Sequence, residues 1–400
     1  MSIGRREFLS KSAATAAFTI VSAGAASSYA QNAKIALGLS GCGGRGRWIG
    51  RLFQEFSDYK VVAVHDYFRD RTRMACKDIG VPEEKAFTGV DGHKALLEEP
   101  VDAVAVITPP YFHPDQAVDT LAAGKHLYLA KPVAVDTVGC LRVLEAADKA
   151  KSLCTLVDFQ TRNNEFYREA AKKVHEGAIG APVLAQVFYH CGRLNPHSKE
   201  NTETARLRNW VFDKALSGDI IVEQNIHVID VANWLLNGHP LSATGTGGRK
   251  ARVDVGDCWD HFVVTFRYAD DVVADFSSVQ FQVGSTDDLF VKVYGTEGTV
   301  ETHYGGQVFI GGKKENWKGG STATIYQDGA VNNIRDFHAA ITSGSPINNA
   351  RTAVESNLSS ILGRKAAYEG RTVTWDEMMA DLTPLDARLR LPEDGPDSRA

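Results

Sequence analysis

Residues 35–46 of the chain read IALGLSGCGGRG, and this stretch decides the fold of the first half. The apolar run 35–40 is typical of a buried strand, and the segment after the glycines is amphipathic to Phe56. In the pattern G-x-G-x-x-G, Gly41 permits a tight turn, Gly43 lets the backbone approach a pyrophosphate, and Gly46 lets helix and strand pack closely. Strand, glycine loop and helix therefore predict a dinucleotide site, with Cys42, Gly44 and Arg45 as further contacts at the helix amino terminus.

An acidic residue supports this interpretation. The apolar run 61–64 leads through His65 to Asp66, twenty residues beyond Gly46, which is the spacing that reaches a ribose hydroxyl. A carboxylate there repels a 2′-phosphate, so we expect NAD. NADP remains the alternative, because three arginines are close by: Arg69, Arg71 and Arg73.

Two further strands predict where the reactive end of the cofactor lies. Residues 102–107 read DAVAVI and predict a further strand that ends at Thr108 and Pro109, with His113 opening the next helical stretch. The run 127–129 ends just before Lys131. Alternating strands and helices predict a doubly wound parallel sheet, whose ligands lie at the carboxyl ends of the strands. We therefore expect Thr108, Pro109, His113 and Lys131 to face the nicotinamide.

Size and charge limit the function classes. The chain has 400 residues, 44 Lys and Arg against 49 Asp and Glu, and a net charge of −5. This length suits two domains, and the acidic balance argues against nucleic acid as a partner. We predict a Rossmann domain over residues 33–157 and a substrate and oligomerisation domain over 158–390. The six cysteines and twelve histidines show no spacing that suits zinc, so we predict no metal site.

The amino terminus has the parts of an export signal. Residues 4–9 read GRREFL and precede a weakly apolar stretch that ends in Ser28-Tyr29-Ala30. Paired arginines, a short apolar middle and small residues predict a twin-arginine signal over residues 1–30, with an amphipathic surface helix as the alternative. The apolar stretch is too interrupted for a stable membrane span. We expect the twin-arginine translocase to carry the folded protein, with its cofactor, to the periplasm.

The pattern changes in the second half. A helix is expected from Arg162 to about Gly177, followed by alternating strand-like runs without helices between most of them, at 182–189, 261–268, 272–281, 289–294 and 307–310. These runs predict an α+β domain with a largely antiparallel open sheet. Its outer face can carry a contact between copies of the chain, so we expect a homo-oligomer.

A group of titratable residues lies in this half. Glu223, His227 and Asp230 have the spacing i, i+4, i+7, which predicts one helical face. A histidine there can take the proton of a hydroxyl while a carboxylate orients its ring, so we predict His227 and Glu223 as catalytic residues. Asp230 is expected to be structural.

These motifs resemble the Gfo/Idh/MocA oxidoreductases. The resemblance is carried by the glycine loop, Thr108-Pro109 with His113, 124–126, Ala130-Lys131-Pro132, 295–298 and 366–377, and it covers nearly the whole mature chain. The family usually has Glu-Lys-Pro where this chain has Ala130-Lys131-Pro132, so only the glutamate is replaced. It also usually has Asp at the position of Glu223. The resemblance implies a dehydrogenase of sugars or cyclic polyols such as inositol, with Lys131 beside the reacting oxygen.

The expected reaction is hydride transfer between a nicotinamide and a secondary hydroxyl of a sugar or cyclic polyol. His227 is the general base, Lys131 stabilises the alkoxide-like charge, and Glu223 orients His227. Because free NAD is scarce outside the cytoplasm, we expect a tightly bound cofactor. A redox-neutral glycosidase using the same residues is the first alternative. A non-catalytic sugar-binding protein is the second.

Overall fold

The computed structural model describes residues 34–393, 395 and 396, and residues 35–393 lie in one compact unit. The predicted export signal, residues 1–30, lies outside the described residues. The predicted domain boundary at 157/158 stays a prediction.

The first half contains a parallel sheet of short apolar strands. They are β1 (Ile35–Ser40), β2 (Tyr59–Asp66), β3 (Ala86–Thr88), β4 (Ala103–Val106), β5 (His126–Ala130) and β6 (Thr155–Asp158). Within the described chain their order is β3-β2-β1-β4-β5-β6, and all neighbours are parallel. The order reverses between β1 and β4, and ligands of such sheets bind at this point. The predicted doubly wound sheet is confirmed.

Helices cover this sheet and connect its strands. They are α1 (Gly44–Phe56), α2 (Arg69–Ile79), α3 (Gly92–Leu97), α4 (His113–Ala122) and α5 (Thr137–Lys149). Helix α1 begins inside the glycine loop, with Gly43 as its N-cap. Helix α5 begins where the Asp136 carboxylate accepts a hydrogen bond from the backbone N–H of Gly139. The free N–H groups of α1 therefore face the carboxyl ends of β1 and β4.

The second half contains a larger mixed sheet. Its strands are β7 (Pro182–Cys191), β8 (Ser242–Gly248), β9 (His261–Arg267), β10 (Val273–Gln280), β11 (Asp288–Gly295), β12 (Gly298–His303), β13 (Gln307–Gly312), β14 (Asn316–Ser321) and β15 (Val373–Thr374). Among the described residues the order is β14-β13-β12-β11-β7-β10-β9-β8-β15. Strands β7 and β10 run parallel, while the other neighbours are antiparallel. Two antiparallel meanders meet at β7, so the predicted largely antiparallel sheet is confirmed.

Buried and exposed residues alternate along the strands of this sheet, so one face is packed against the core. In β9, Phe262, Val264 and Phe266 are buried while the residues between them are more exposed. The opposite face leaves Leu184 and Val263 37% and 49% exposed, and the predicted homo-oligomer stays a prediction.

The helices of the second half bind the two halves together. They are α6 (Glu165–His175), α7 (Glu203–Arg208), α8 (Lys214–Ser217), α9 (Ile220–Glu223), α10 (Ile226–Leu236), α11 (Ile325–Ser343), α12 (Ala350–Glu369) and α13 (Trp375–Ala380). Phe337 of α11 packs against Phe53 and Tyr128 of the first half. No helix of the described residues has the length and apolar character needed to cross a bilayer.

Some predicted boundaries were wrong. Helix α6 begins at Glu165, because residues 161–163 form a 3₁₀ turn and the Asn164 side chain caps the helix. Strands β8, β12, β14 and β15 of the second sheet were not predicted. The sequences of β8 and β14, SATGTGG and NWKGGS, lack the alternation of apolar residues that indicates a strand, and β15 has only two residues.

Candidate active site

The glycine loop has the geometry that a pyrophosphate requires. Gly41 has φ +94°, and a Cβ there would lie 2.5 Å from the backbone carbon of Ile107. A Cβ on Gly46 would lie 1.8 Å from the carbonyl oxygen of Gly41. At Gly43 and Gly44, by contrast, a Cβ would meet no described atom within 4 Å. Gly41 and Gly46 therefore pack against the protein and leave no room for a side chain, whereas Gly43 and Gly44 expose their backbone to the cavity in front of the loop.

Asp66 is held in position by the same loop. Its Oδ2 accepts a hydrogen bond of 2.8 Å from the backbone N–H of Cys42, and its Oδ1 accepts one of 2.9 Å from that of Phe68. Burial raises the pKa of Asp66, while these two bonds favour its charged form. Cys42 contributes through its backbone only, since its thiol is buried and donates to the carbonyl oxygen of His65.

A cavity of about 530 Å³ lies in front of the loop. Its lining includes the predicted residues Gly41, Gly43, Gly44, Arg45, Gly46, Asp66, Thr108 and Pro109. Of the three neighbouring arginines, Arg71 lines it as well, whereas Arg69 and Arg73 are exposed. The cavity wall combines open glycine backbone, a helix amino terminus and a carboxylate, so these residues fit the pyrophosphate and ribose of a dinucleotide.

Arg45 has a second role. Its guanidinium forms an ion pair with the fully buried carboxylate of Asp158 and donates a 3.1 Å hydrogen bond to the hydroxyl of Tyr326. Trp48 stacks on Tyr326 at 4.8 Å between ring centroids. The side chain of Arg45 therefore ties the glycine loop to β6 and α11.

His113 does not line the cavity, contrary to the prediction that it faces the nicotinamide. Its Nδ1 lies 2.7 Å from the carbonyl oxygen of Pro132 and its Nε2 lies 2.8 Å from that of Thr108. Burial lowers the pKa of His113 to about 4, so at neutral pH the ring donates to one of these two acceptors. His113 is a positioning residue that joins the Thr108 loop to the segment carrying Lys131.

Lys131 forms a shielded ion pair with Glu223. Its Nζ lies 3.0 Å from Glu223 Oε1 and also donates to the backbone carbonyl oxygen of Glu223. The two side chains are 10% and 14% exposed. Glu223 therefore restrains the ammonium group at the end of β5.

The predicted single helical face is wrong. Helix α9 ends at Glu223 and α10 begins at Ile226, with Gln224 and Asn225 between them. The break separates Glu223 from His227, whose buried Nδ1 has no hydrogen-bond partner in the described part of the chain. Glu223 thus contacts Lys131 and does not orient His227, because spacing predicts a common face only where the helix is continuous.

His227 has a buried Nδ1, and the positive charges of Lys131 and Arg45 act on its ring. Its pKa is lowered well below the ordinary value, first by burial and then by the positive charges of Lys131 and Arg45. Its ring centroid lies 5.7 Å from that of Tyr304 and 6.5 Å from that of Phe159. His227 is consequently neutral at pH 7, with an imidazole able to accept a proton.

Asp230, expected to be structural, is bonded to residues of the second half. It accepts two hydrogen bonds from Arg162, of 2.8 and 2.9 Å, and one of 2.7 Å from the hydroxyl of Ser356. The carboxylate is thus occupied by neighbours in the second half.

Several residues of the site were not predicted. Asp158 and Tyr304 reach it from β6 and from the turn after β12, and His197, Arg208 and Trp210 line the nucleotide cavity from a segment after β7. No spacing in the sequence connects these residues with the glycine loop. In the portion of the chain that the structure describes, no three or more His, Cys, Asp or Glu residues are placed to hold a metal ion.

Comparison with known proteins agrees with this geometry. Residues 35–158 match the model of an oxidoreductase family with an NAD-binding Rossmann fold, and residues 167–301 match that of the Gfo/Idh/MocA C-terminal domain. The chain is also 30% identical over 264 residues to the inositol 2-dehydrogenase of Burkholderia cenocepacia (strain HI2424), covering 66% of this chain and 72% of that relative. The chain belongs to the Gfo/Idh/MocA oxidoreductase family.

Other similarities of this Gfo/Idh/MocA member are more limited. It is 32% identical over 202 residues to the inositol 2-dehydrogenase of Klebsiella pneumoniae (strain 342). These residues make up 50% of this chain and only 54% of that relative. The myo-inositol 2-dehydrogenase structure from Lactobacillus plantarum superposes with a TM-score of 0.69 at 20% identity, covering 85% of this chain and 99% of that chain. The latter similarity concerns the fold.

Two residues distinguish this chain from the usual Gfo/Idh/MocA sequence, Ala130 and Glu223. Ala130 is buried and offers no carboxylate beside Lys131. Glu223 reaches Lys131 from α9 instead. The lysine therefore keeps an acidic partner despite the alanine.

Proposed function

We propose that this chain is an exported oxidoreductase that transfers a hydride between a tightly bound NAD and a secondary hydroxyl of a sugar or cyclic polyol. The observation that carries the proposal is that the fold brings Lys131, held in an ion pair by Glu223, near His227 of the other half of the chain, whose pKa the lysine lowers. The connection to the nucleotide cavity runs through His113, which joins the Lys131 segment to Thr108.

The residues divide the proton chemistry between them. A bound nicotinamide would supply the hydride chemistry at the substrate carbon, in either direction, and the residues that line the cavity would hold it there. His227, neutral because burial and positive neighbours lower its pKa, accepts the proton of the hydroxyl group. Lys131 donates a hydrogen bond to the same oxygen and stabilises the negative charge that develops on it. Glu223 holds Lys131 in place through the ion pair.

The cofactor proposal rests on Asp66 and on the family. Asp66 lines the cavity and repels a 2′-phosphate, which favours NAD, and the family model that matches this half is described as NAD-binding. Arg71 lines the same cavity and keeps NADP as an alternative. The substrate proposal follows the relatives, which are named inositol 2-dehydrogenases.

Export to the periplasm is supported by the residues GRREFL at 4–9. Fusing residues 1–30 to a reporter that is active only after folded export tests it. Export should require Arg5 and Arg6, and a reporter that remains in the cytoplasm would contradict this part of the proposal.

Two substitutions test the catalytic assignment. Lys131→Met and His227→Ala should leave NAD affinity within a few-fold of the unsubstituted protein, while turnover falls by at least about 10²-fold, as for lost acid–base groups. NAD binding is measured by calorimetry, and turnover by absorbance of the reduced nicotinamide across a set of sugars and inositols. Near-normal turnover of either variant contradicts the assignment. Release of a monosaccharide without a keto product would instead support the glycosidase alternative.

A further inference from the structure

The nucleotide cavity is lined in part by residues from outside the Rossmann half. His197, Leu207, Arg208 and Trp210 line the same cavity as Asp66 and the glycine loop. All four lie in residues 192–213, which we call the crossing segment. It follows β7 and contains α7. A dinucleotide in this cavity would be in contact with both halves of the chain.

Arg208 fastens the crossing segment to the start of α2. Its Nη2 lies 2.9 Å from Asp70 Oδ1 and its Nη1 lies 3.2 Å from Oδ2, a bidentate arrangement. The guanidinium also lies 3.9 Å from the ring centroid of Phe68, another cavity-lining residue. Partial burial acts to raise the pKa of Asp70, but the hydrogen bonds and charge of Arg208 lower it, which favours the ionised pair.

Asn209 holds the other end of the segment. Its Oδ1 accepts hydrogen bonds of 2.7 and 3.1 Å from the backbone N–H groups of His197 and Ser198, and its Nδ2 donates to the carbonyl oxygen of Ser198 at 2.7 Å. Asn209 is buried. The loop bearing His197 is therefore fixed to the end of α7.

Residues 385–393, the strap, run over the same region. The backbone N–H of Leu385 donates to Asp136 Oδ2 at 2.8 Å, and the carbonyl oxygen of Ala387 accepts from Arg206 Nη1 at 2.7 Å. The carbonyl oxygen of Glu393 accepts a 2.9 Å bond from the backbone N–H of Val90, which lines the cavity. Arg206 thereby connects the crossing segment to the strap.

Apolar packing joins the strap to the cavity wall. Ala387 is 2% exposed and belongs to one cluster with Tyr67, Phe68 and Leu207, against which Leu389 and Leu391 also pack. Tyr67 and Phe68 follow Asp66 directly and line the cavity with Leu207, so the strap packs behind the wall at the end where the adenosine half of a dinucleotide belongs.

We propose that the crossing segment and the strap form a clamp on the adenosine half of the cofactor, and that Arg206 and Arg208 keep it shut. The inference rests on the proposed NAD site and adds the means of its retention. With the clamp shut, the nucleotide is enclosed between two halves of one chain, so its release requires a local opening of the protein. Release is then slower than turnover, and one NAD serves many catalytic cycles.

The test measures release of NAD from the full-length protein. Purified protein loaded with NAD is mixed with an excess of the fluorescent analogue etheno-NAD, and the exchange rate is followed by fluorescence. The variants are Arg206→Met, Arg208→Gln and the charge exchange Asp70→Arg with Arg208→Asp. The control is Arg351→Met, which removes an exposed ion pair with Asp148 outside the clamp. Thermal unfolding of each variant establishes that it is folded.

We expect release from the protein without substitutions to be slower than its turnover. Arg206→Met and Arg208→Gln should release NAD roughly three- to tenfold faster, since changes in affinity act mainly on dissociation rates. The control should match the unsubstituted protein, and the charge exchange should restore part of the slow release. Folded Arg206→Met and Arg208→Gln variants with unchanged release overturn the clamp, as does release faster than turnover.

Failure of the proposed function has a different result. If neither NAD nor etheno-NAD binds at millimolar concentration, the cofactor site itself is wrong and the clamp is overturned with it. If both bind but the exchange rates are insensitive to the two arginines, the dehydrogenase proposal stands and only the clamp is overturned.

Discussion

A single ion pair, Lys131 with Glu223, joins the end of β5 to the end of α9. Water is largely excluded from it, so the attraction between the two charges is stronger than at the surface, and loss of one partner leaves the other charge uncompensated. Glu223 is the only acidic residue within hydrogen-bond distance of Lys131 among the described residues. The charge of the ammonium group is therefore balanced by this one carboxylate, while the backbone carbonyl oxygen of Glu223 gives a second hydrogen bond.

Glu223→Gln tests this charge pairing at the level of one residue. The amide keeps the size of the side chain but removes its charge, so Lys131 loses the ion pair and keeps only its bond to the backbone carbonyl oxygen of residue 223. We expect kcat to fall roughly 10- to 100-fold, a loss of about 1.4 to 2.7 kcal/mol, with little change in the KM for NAD. Steady-state kinetics with saturating NAD provides the measurement. Glu223→Asp is the control and should retain more activity. If Gln and Asp behave alike, charge is not what Glu223 contributes.

At the scale of elements, the glycines in the turn from β1 into α1 have different surroundings. Gly46 lies against the carbonyl oxygen of Gly41, whereas Gly43 meets only open space and has φ −65°, which any residue adopts. The same small side chain added at the two positions should therefore have different effects.

Gly46→Ala and Gly43→Ala separate folding from binding. Gly46→Ala places a Cβ 1.8 Å from a backbone oxygen, so the turn must shift, and we expect the free energy of unfolding to fall by roughly 2–4 kcal/mol. Gly43→Ala should unfold at nearly the same temperature but bind NAD at least about tenfold more weakly, because its methyl group enters the cavity. Thermal unfolding and calorimetric titration with NAD measure both effects. A Gly43→Ala variant with unchanged NAD affinity would contradict the placement of the pyrophosphate.

At the scale of the whole molecule, buried histidines make the fold sensitive to acid. His65 lies between the hydroxyl of Ser40 and the carbonyl oxygen of Gly89, and His113 lies between two carbonyl oxygens. Burial lowers the pKa of both to about 4 from the ordinary 6.5. Between these values the unfolded chain binds protons that the folded chain does not, so stability falls as pH falls from 6.5 to about 4.

Unfolding by urea at a series of pH values checks this sign. Each histidine should contribute a loss of roughly 3 kcal/mol once pH has fallen from 7 to about 4. His113→Gln should make the curve of unfolding free energy against pH shallower below pH 6.5. His175→Gln is the control, because it removes an exposed histidine. An equal slope in His113→Gln and the unsubstituted protein would contradict the prediction.

Local sequence determined the doubly wound sheet, the glycine loop and the acidic residue at the end of β2. In each case neighbouring residues impose the structure, through buried apolar runs, the conformational freedom of glycine and a fixed spacing of the chain. The second sheet followed from alternation, except where glycine-rich strands such as β8 and β14 lack it.

Only the tertiary structure decided the partners of the charged groups. Spacing alone placed Glu223 beside His227, but the break between α9 and α10 turns it to Lys131, 92 residues away in sequence. Spacing likewise could not predict that Arg45 pairs with Asp158, or that Arg208 lines the nucleotide cavity and the strap packs against the cluster behind its wall. Such contacts depend on how whole elements pack against each other, and this packing is set by burial of apolar surface across the entire chain and not by adjacent residues.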